Sequence, residues 1–268
     1  MSIYLGAGST AHKMSKLYVG VSGQARQVQK VYVGVGGQAR LVYQSGQTIG
    51  GLAVGSIVKI KVNGASKDFI VVQQGNPDTS VYDDSCTGTW LLMKDIYTTS
   101  AFSSNDNSYK DSSIHSYLNS TFYNLIDSDI RAAIKQVKIP YQNGTGSGGR
   151  LATGANGLST KVFLLSGYEV GWIPGTSSDS NNHSPRDGVK LDYFGSGSDG
   201  NRKRVAYNGG HTAVWWLRSP ITVRSNTVWY VSIDGSIYDY WYTVSCGVRP
   251  ALILPSTTLL DESGNVIG

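Results

Sequence analysis

The residues best suited to specific chemistry lie between two apolar, arginine-bearing blocks, WWLRSP at 215–220 and GVRPALIL at 247–254. The 26 residues between them, ITVRSNTVWYVSIDGSIYDYWYTVSC, carry Trp229, Tyr230, Tyr238, Tyr240, Trp241 and Tyr242 among Ser, Thr, Ile and Val; only Arg224, Asp234 and Asp239 are charged. The chemistry such a segment offers is recognition by contact. Tyr and Trp present large amphipathic area at low entropic cost, and Ser and Thr add adaptable hydrogen bonds. A pair of Tyr-rich strands covering a sheet would have the same composition, because Tyr, Ile, Val and Thr also form strands well.

Catalytic chemistry is harder to assemble. His12, His115, His183 and His211 fall in the N-terminal stretch, on an expected helix, in a polar loop and beside the Trp pair. No GxSxG elbow accompanies the many serines. Glu169 and Glu262 are the only glutamates, the aspartates sit mostly in turn-like sequence, and nothing selects a carboxylate pair. The reading is therefore of a non-enzyme with no catalytic residues, no cofactor and no metal site. Cys86 and Cys246 stand 160 positions apart without a CxxC or a nearby His, which favours two free thiols.

The elements that must position the contact segment follow from local pattern. LYVGVSGQARQV (17–28) recurs as VYVGVGGQARLV (31–42), a shift of 14 residues, and each copy reads as a small β-hairpin. Hairpins of this size cannot bury a face alone, so residues 1–47 are expected to pack on copies of themselves or on another protein. From residue 48 the texture is that of a larger mixed domain. SIVKIKV (56–62) and KDFIVVQ (67–73) flank Asn63-Gly64 as a hairpin, and TWLLMKDI (89–96) is a buried strand. A helix capped by Asp111 or Ser112 presents Ile114, Tyr117, Leu118, Phe122 and Leu125; a second is expected over Asp127–Lys138, with Ile130, Ile134 and Val137 inward and Pro140 closing it. Residues 142–157 and 175–188 read as polar loops, the former around a short extended segment, and KVFLLSGYEV (161–170) as a strand with a turn. Helices early and irregular β structure late describe an α+β domain rather than alternating βαβ units.

Glycine is abundant, at 33 residues, and charged residues make up only 15%, which favours turn-rich β structure. The net charge of +5 raises nucleic acid as a partner, but Lys and Arg are scattered, the one cluster being Arg202, Lys203 and Arg204 in a Gly/Asn/Asp-rich loop; no nucleic-acid partner is expected. No apolar run approaches the ~20 residues of a membrane span, so no membrane insertion is expected, and the N-terminus has no signal-peptide core.

The succession NGASKDFIVV, GTWLLMKDI, NSYKDSSIHSYLNSTFYNLI, IRAAIKQVKIPY, KVFLLSGYEV, WWLRSP and GVRPALIL resembles a group of phage, prophage and gut-bacterial proteins with a C-type-lectin-like fold. Many of these are variable proteins of diversity-generating retroelements. The resemblance covers roughly 48–268 and is most specific at WWLRSP and GVRPAL. It implies an α+β, C-type-lectin-like (formylglycine-generating-enzyme-like) domain with two helices and an irregular antiparallel sheet, preceded at 1–47 by a β-hairpin repeat segment serving oligomerisation or virion attachment. Hypervariable positions would lie within 221–246, because the retroelement rewrites Asn codons there while the flanks stay constant. The 26 residues contain no Lys, Gln, Glu or Met, residues that Asn (AAC) codons cannot yield by adenine mutagenesis. Trp229 then belongs to the scaffold, and Trp241 is either constant or derived from another codon.

On that resemblance the ligand-binding surface comprises Ile221, Thr222, Val223, Arg224, Ser225, Asn226, Tyr230, Ser232, Ile233, Ser236, Tyr238, Asp239, Tyr240, Trp241, Tyr242, Thr243 and Ser245. The scaffold comprises Trp215, Trp216, Arg218, Trp229, Gly247 and Arg249. Arg218 and Arg249, embedded in apolar blocks, should donate to backbone carbonyls or a buried carboxylate, since an unpaired buried guanidinium is costly. Asp234-Gly235 should turn the chain in mid-segment. No EPN-like or WND-like calcium signature is present, nor the close cysteine pair of formylglycine-generating relatives. The implied function is a phage tail-associated receptor-binding protein. Its implied partners are a host bacterial surface protein or glycan, other tail proteins through the N-terminal segment, and copies of itself, with a trimer expected. Its implied location is the virion, after assembly in the host cytoplasm. A structural tail or baseplate component without a ligand, or an enzyme acting on surface glycan, are the alternatives.

Overall fold

The computed structural model describes residues 4–7, 10–13, 17–28, 30–44, 46–145, 148–172, 183–195 and 197–267. The chain divides into two compact units, Met1–Gln47 and Thr48–Gly268. Its architecture is α+β, mostly strand with a few short helices. None of the described helices is long and apolar enough to cross a membrane.

The described residues of the first unit form three two-stranded hairpins: Tyr4–Ala7 with Thr10–Lys13, Tyr18–Val21 with Gln24–Gln27, and Lys30–Val35 with Gln38–Gln44. The second and third are the two sequence repeats. Ser22-Gly23 and Gly36-Gly37 turn them with positive φ at both central residues (51° and 78°, 59° and 77°), the left-handed pair that matches strand twist.

In the second unit one five-stranded antiparallel sheet runs in the order Val162–Phe163, Ala251–Leu254, Thr89–Met93, Ala65–Gln74, Ile57–Val62. Asn63-Gly64 (φ 50° and 72°) closes its outer hairpin. Alternation turns Val58, Ile60 and Val62 inward, whereas the central strand Thr89–Met93 is buried on both sides. A second five-stranded sheet runs Thr98–Ala101, Ser245–Val248, Trp215–Pro220, Thr227–Val231, Ile237–Trp241. All its pairings are antiparallel except that of Trp215–Pro220 with Ser245–Val248.

The first helix starts where Ser112 Oγ accepts from the His115 N–H at 3.2 Å. It continues through a π-helical stretch, Leu118–Phe122, to Leu125, burying Ile114, Leu118 and Phe122. Within that stretch Asn119 donates to Val162 O and accepts from the N–H groups of Lys161 and Val162, stapling the helix to the first sheet's edge.

Three expectations need correction. The helix expected over Asp127–Lys138 ends at Ala133, and Val137–Ile139 is a strand paired with Leu158–Thr160. Pro140 biases Ile139 towards extended backbone, and β-branched Val137 and Ile139 both bury while Lys138 between them does not. Arg202, Lys203 and Arg204 lie on a helix, Gly197–Arg204, not in a loop. Asp199 pairs with Arg202 and Lys203 one turn on, at 3.5 and 3.4 Å, and Arg204 turns inward to structural bonds, so no free basic cluster forms there. In KVFLLSGYEV only Val162–Phe163 is strand; Ser166–Trp172 is a turn that aims Glu169 inward. Of the polar loop at 175–188, residues 175–182 lie outside the described residues.

Candidate functional site

The contact segment is carried by a framework of two buried arginines. Arg218, in the Trp215–Pro220 strand, is 1% exposed and all five of its N–H donors are used. Nε reaches Pro140 O (3.0 Å), Nη1 Leu164 O (2.9 Å) and Glu169 Oε2 (2.5 Å), Nη2 Glu169 Oε1 and Asp187 O (both 2.7 Å). Glu169 also accepts from Tyr82 Oη (2.8 Å) and Ser166 N–H (2.9 Å). Burial works against the charge of Arg218, but Glu169, Asp187 and Tyr82 outweigh it and its pKa is raised. Gly188 makes this closeness possible: a Cβ there would stand within 3 Å of Tyr82 Oη, Glu169 Cγ and Ser166 Oγ. Among the described residues Arg249 forms no ion pair with a carboxylate. It donates to Met93 O (2.8 Å) and Lys94 O (3.0 Å) and lies 4.9 Å from the Trp215 ring, and burial lowers its pKa to about 10.

Asp187 belongs to the same centre and is fully buried. Its carboxyl oxygens lie 3.0 and 2.9 Å from the Ser219 hydroxyl, and burial pushes its pKa up from 3.8 to about 7, against the pull of Arg218 and Ser219. A carboxyl whose folded pKa exceeds its unfolded one contributes stability that is complete below pH 3.8 and lost as pH rises through about 7. At 1.36 kcal/mol per unit the loss is on the order of 4 kcal/mol. Asp187→Asn, which keeps an acceptor for Ser219, should flatten that part of the pH dependence. Urea unfolding at about pH 5 and about pH 8 checks it; equal slopes in variant and parent would sink the assignment.

Between the arginine blocks, the segment's path is set by the main chain and by residues outside it. Asn107 Nδ2 donates to Arg224 O and Thr227 O, each at 2.8 Å, and Thr222 N–H donates to His183 O at 2.8 Å. The N–H groups of Phe102 and Ser103 donate to Tyr242 O (2.9 and 3.2 Å), and Tyr242 N–H donates to Asn226 O (3.2 Å). Thr227–Val231 and Ile237–Trp241 form a hairpin at the sheet's edge, turned by Asp234-Gly235 with Gly235 at φ 82°. Gly235 O accepts from Arg204 Nε at 2.7 Å, which pins the tip to the Gly197–Arg204 helix. A Cβ on Gly235 would lie 1.8 Å from Asn201 O. Gly235→Val should therefore cost about 2 kcal/mol or more and displace the hairpin, read as a lowered Tm; an unchanged Tm would refute this.

The register sorts the side chains. Tyr230 pairs with Tyr238 and Val228 with Tyr240, so these share one face; Thr227, Trp229, Asp239 and Trp241 share the other. The Tyr230 ring lies 6.4 Å from buried Trp216, 6.3 Å from Tyr238 and 5.8 Å from Tyr240, a ladder from core to solvent. Tyr238, Tyr240 and Trp241 are 54%, 47% and 63% exposed. Opposite, Trp229 is buried against Trp172 (4.1 Å between centroids), and Arg224 meets Asp239 at 3.4 Å.

The expected contact residues are thus exposed or half-buried, on both faces of the edge hairpin and in the stretches that flank it, with one correction. Ile221 is buried, 3% exposed: it follows buried Pro220, and its N–H bonds Thr227 O, which turns the chain inward before the exposed stretch at 223–226 begins. Tyr242 is half-buried, and its hydroxyl donates to Asn105 O at 3.0 Å, so part of it serves as an anchor. Thr222, Tyr230, Ser232, Ser236 and Asp239 are half-buried; Val223, Arg224, Ser225, Asn226, Ile233, Thr243 and Ser245 are exposed. Trp215, Trp216, Trp229, Gly247 and Arg249 are buried with Arg218; a Cβ on Gly247 would meet Val214 O at 2.6 Å. Asn107, Asn105, Phe102 and the Glu169–Asp187 centre were not singled out from sequence, because their partners lie far along the chain. Among the described residues no cluster of three His, Cys, Asp or Glu could hold a metal ion, and Cys86 and Cys246 are buried free thiols.

Residues 87–256 match the family model described as Domain of unknown function (DUF6273), more than half of the chain. The chain belongs to this family. The DUF6273 region includes both arginine blocks, the whole contact segment and the Glu169–Asp187 centre. It begins just before the central strand Thr89–Met93 and omits the Ile57–Val62 and Ala65–Gln74 strands that complete its sheet. Neither the curated proteins nor the solved structures gave a match.

Proposed function

We propose that this DUF6273 protein is a phage tail-associated receptor-binding protein. In this reading the second unit is a C-type-lectin-like scaffold, and the surface formed by residues 222–226, Tyr230, Ser232, Ile233, Ser236, residues 238–243 and Ser245 binds a host-surface protein or glycan. The supporting observation is the division of labour in the segment. Its path rests on main-chain hydrogen bonds and on Asn107, Arg204 and the Phe102–Ser103 backbone, while Tyr238, Tyr240 and Trp241 stand in solvent. A path held this way tolerates replacement of its outward side chains, most of which would cost less than about 0.5 kcal/mol. That is the property a variable protein of a diversity-generating retroelement requires, and exposed aromatics on a rigid hairpin are the groups that dominate binding energy. The N-terminal unit would attach this domain to other tail proteins in the virion.

Sequencing this gene and its flanking DNA across its source population tests the reading. Variation confined to codons within 221–246 and matched to adenines in a nearby repeat is the expected result, with Ile221 and Trp229 among the constant positions. Variation spread evenly over the domain, without such a repeat, would remove the retroelement from the proposal.

A further inference from the structure

The edge hairpin has a second face, opposite the tyrosine ladder, and two polar atoms on it are orphaned. Tyr242 N–H donates to Asn226 O and Ser232 N–H to Ser236 O, so hydrogen-bonded pairs fall at 226–242 and 232–236. With a period of two, Thr227–Trp241 and Trp229–Asp239 are the non-hydrogen-bonded pairs, whose side chains stand closest, about 4.5 Å between Cα atoms. These four side chains crowd one patch. Arg224 joins it through Asp239, at 3.4 Å, and Trp172 through Trp229, at 4.1 Å between ring centroids.

Thr227 Oγ1 and Trp229 Nε1 are buried without a hydrogen-bond partner, and no other side-chain atom among the described residues is left so. Thr227 and Trp229 are 3% and 7% exposed. A buried polar atom left unpaired is costly, and native structures hold few of them. Both orphans fall on one face of one strand, two residues apart, across from exposed Trp241. Packing alone does not call for threonine at 227, since valine is the same size without the hydroxyl. A ligand that supplies the missing partner does.

We propose that this face binds a saccharide, with Trp241 against the apolar side of a sugar ring and Asp239, Arg224 and Thr227 on its hydroxyls. A sugar presents C–H groups above and below its ring and hydroxyls around the edge, each both donor and acceptor. Asp239 and Arg224 set an acceptor and a donor side by side, as two adjacent hydroxyls require. Trp241 is exposed, so its ring is free to change rotamer and open the way to Thr227 opposite. The density of polar groups favours a sugar over a protein: an apolar protein anchor would desolvate them without pairing them. The inference rests on the proposed function, which leaves the host ligand as protein or glycan, and it assigns glycan. Binding here needs no metal, because Asp239 is the one carboxylate on this face of the two strands and is paired with Arg224, whereas calcium takes about six to eight oxygens.

Adsorption of the full chain to host envelopes treated with protease, or with periodate, which cleaves the vicinal diols of sugars, tests it. Adsorption should survive protease and a chelator of divalent cations, and fall about tenfold or more after periodate. Trp241→Ala and Asp239→Asn should each weaken it about tenfold. Thr227→Val should weaken it about threefold or more with Tm no lower than the parent's, because the orphaned hydroxyl is gone. Adsorption indifferent to periodate would overturn the saccharide, and if protease then abolished it the ligand would be a protein and the proposed function would stand. Loss on chelation would overturn the metal-free site. A Thr227→Val variant that adsorbed like the parent, or melted lower, would overturn the assignment of Thr227 to the site. No adsorption to untreated envelopes would overturn the proposed function and this inference with it.

Discussion

Arg218→Met is expected to destabilise the second unit by about 3–5 kcal/mol, the range for breaking a buried ion pair by removing one partner. The change strands the Glu169 carboxylate, wholly buried, with Tyr82 and Ser166 as its remaining donors among the described residues, and takes a donor from the carbonyls of Pro140, Leu164 and Asp187. Domains hold about 5–15 kcal/mol in all, so the loss would be a large fraction of the total. Urea denaturation reads the loss as a lower midpoint at constant slope. Adding Glu169→Gln should restore part of it, because the stranded charge is then gone. A single variant within about 1 kcal/mol of the parent would show that the pair contributes little.

Tyr238→Ala, Tyr240→Ala and Trp241→Ala together should have the opposite profile. These side chains are about half exposed or more, so the triple variant should melt within about 1 kcal/mol of the parent. Aromatic anchors each contribute about 2 kcal/mol or more when they lie at the centre of an interface, so host adsorption should fall about 100-fold or more. Adsorption of labelled protein to host cells, with Tm measured in parallel, separates the two effects. Unchanged adsorption would favour a structural tail component without a ligand. Product release from the host envelope that survived the triple substitution would favour an enzyme.

The two profiles reflect two kinds of residue that the sequence places side by side. In WWLRSP the arginine is legible as buried, because a lone charge in an apolar strand must be paired, but its partner is not. Glu169 is 49 positions away, Asp187 31, and Asn107 reaches Thr227 across 120. No local spacing encodes those meetings; the packing of two sheets does. The same limit misplaced Val137, whose spacing fits a helix face and which pairs instead in a strand with Thr160. The resemblance placed Ile221 on the binding surface, whereas the chain turns inward after Pro220 and buries it.

What the sequence determined by itself is what depends on neighbouring residues. It determined the turns at Ser22-Gly23, Gly36-Gly37, Asn63-Gly64 and Asp234-Gly235, because left-handed backbone admits few residue types. It determined the Ser112 cap, the alternation of Ile57–Val62 and the aromatic character of 229–242. Tertiary structure decided which faces of the aromatic hairpin reach solvent, which carboxylate meets Arg218, and that Asp187 is held at a raised pKa in the core. Those outcomes depend on burial and on pairings between distant strands, and a side chain's environment exists only once the sheets have closed around it.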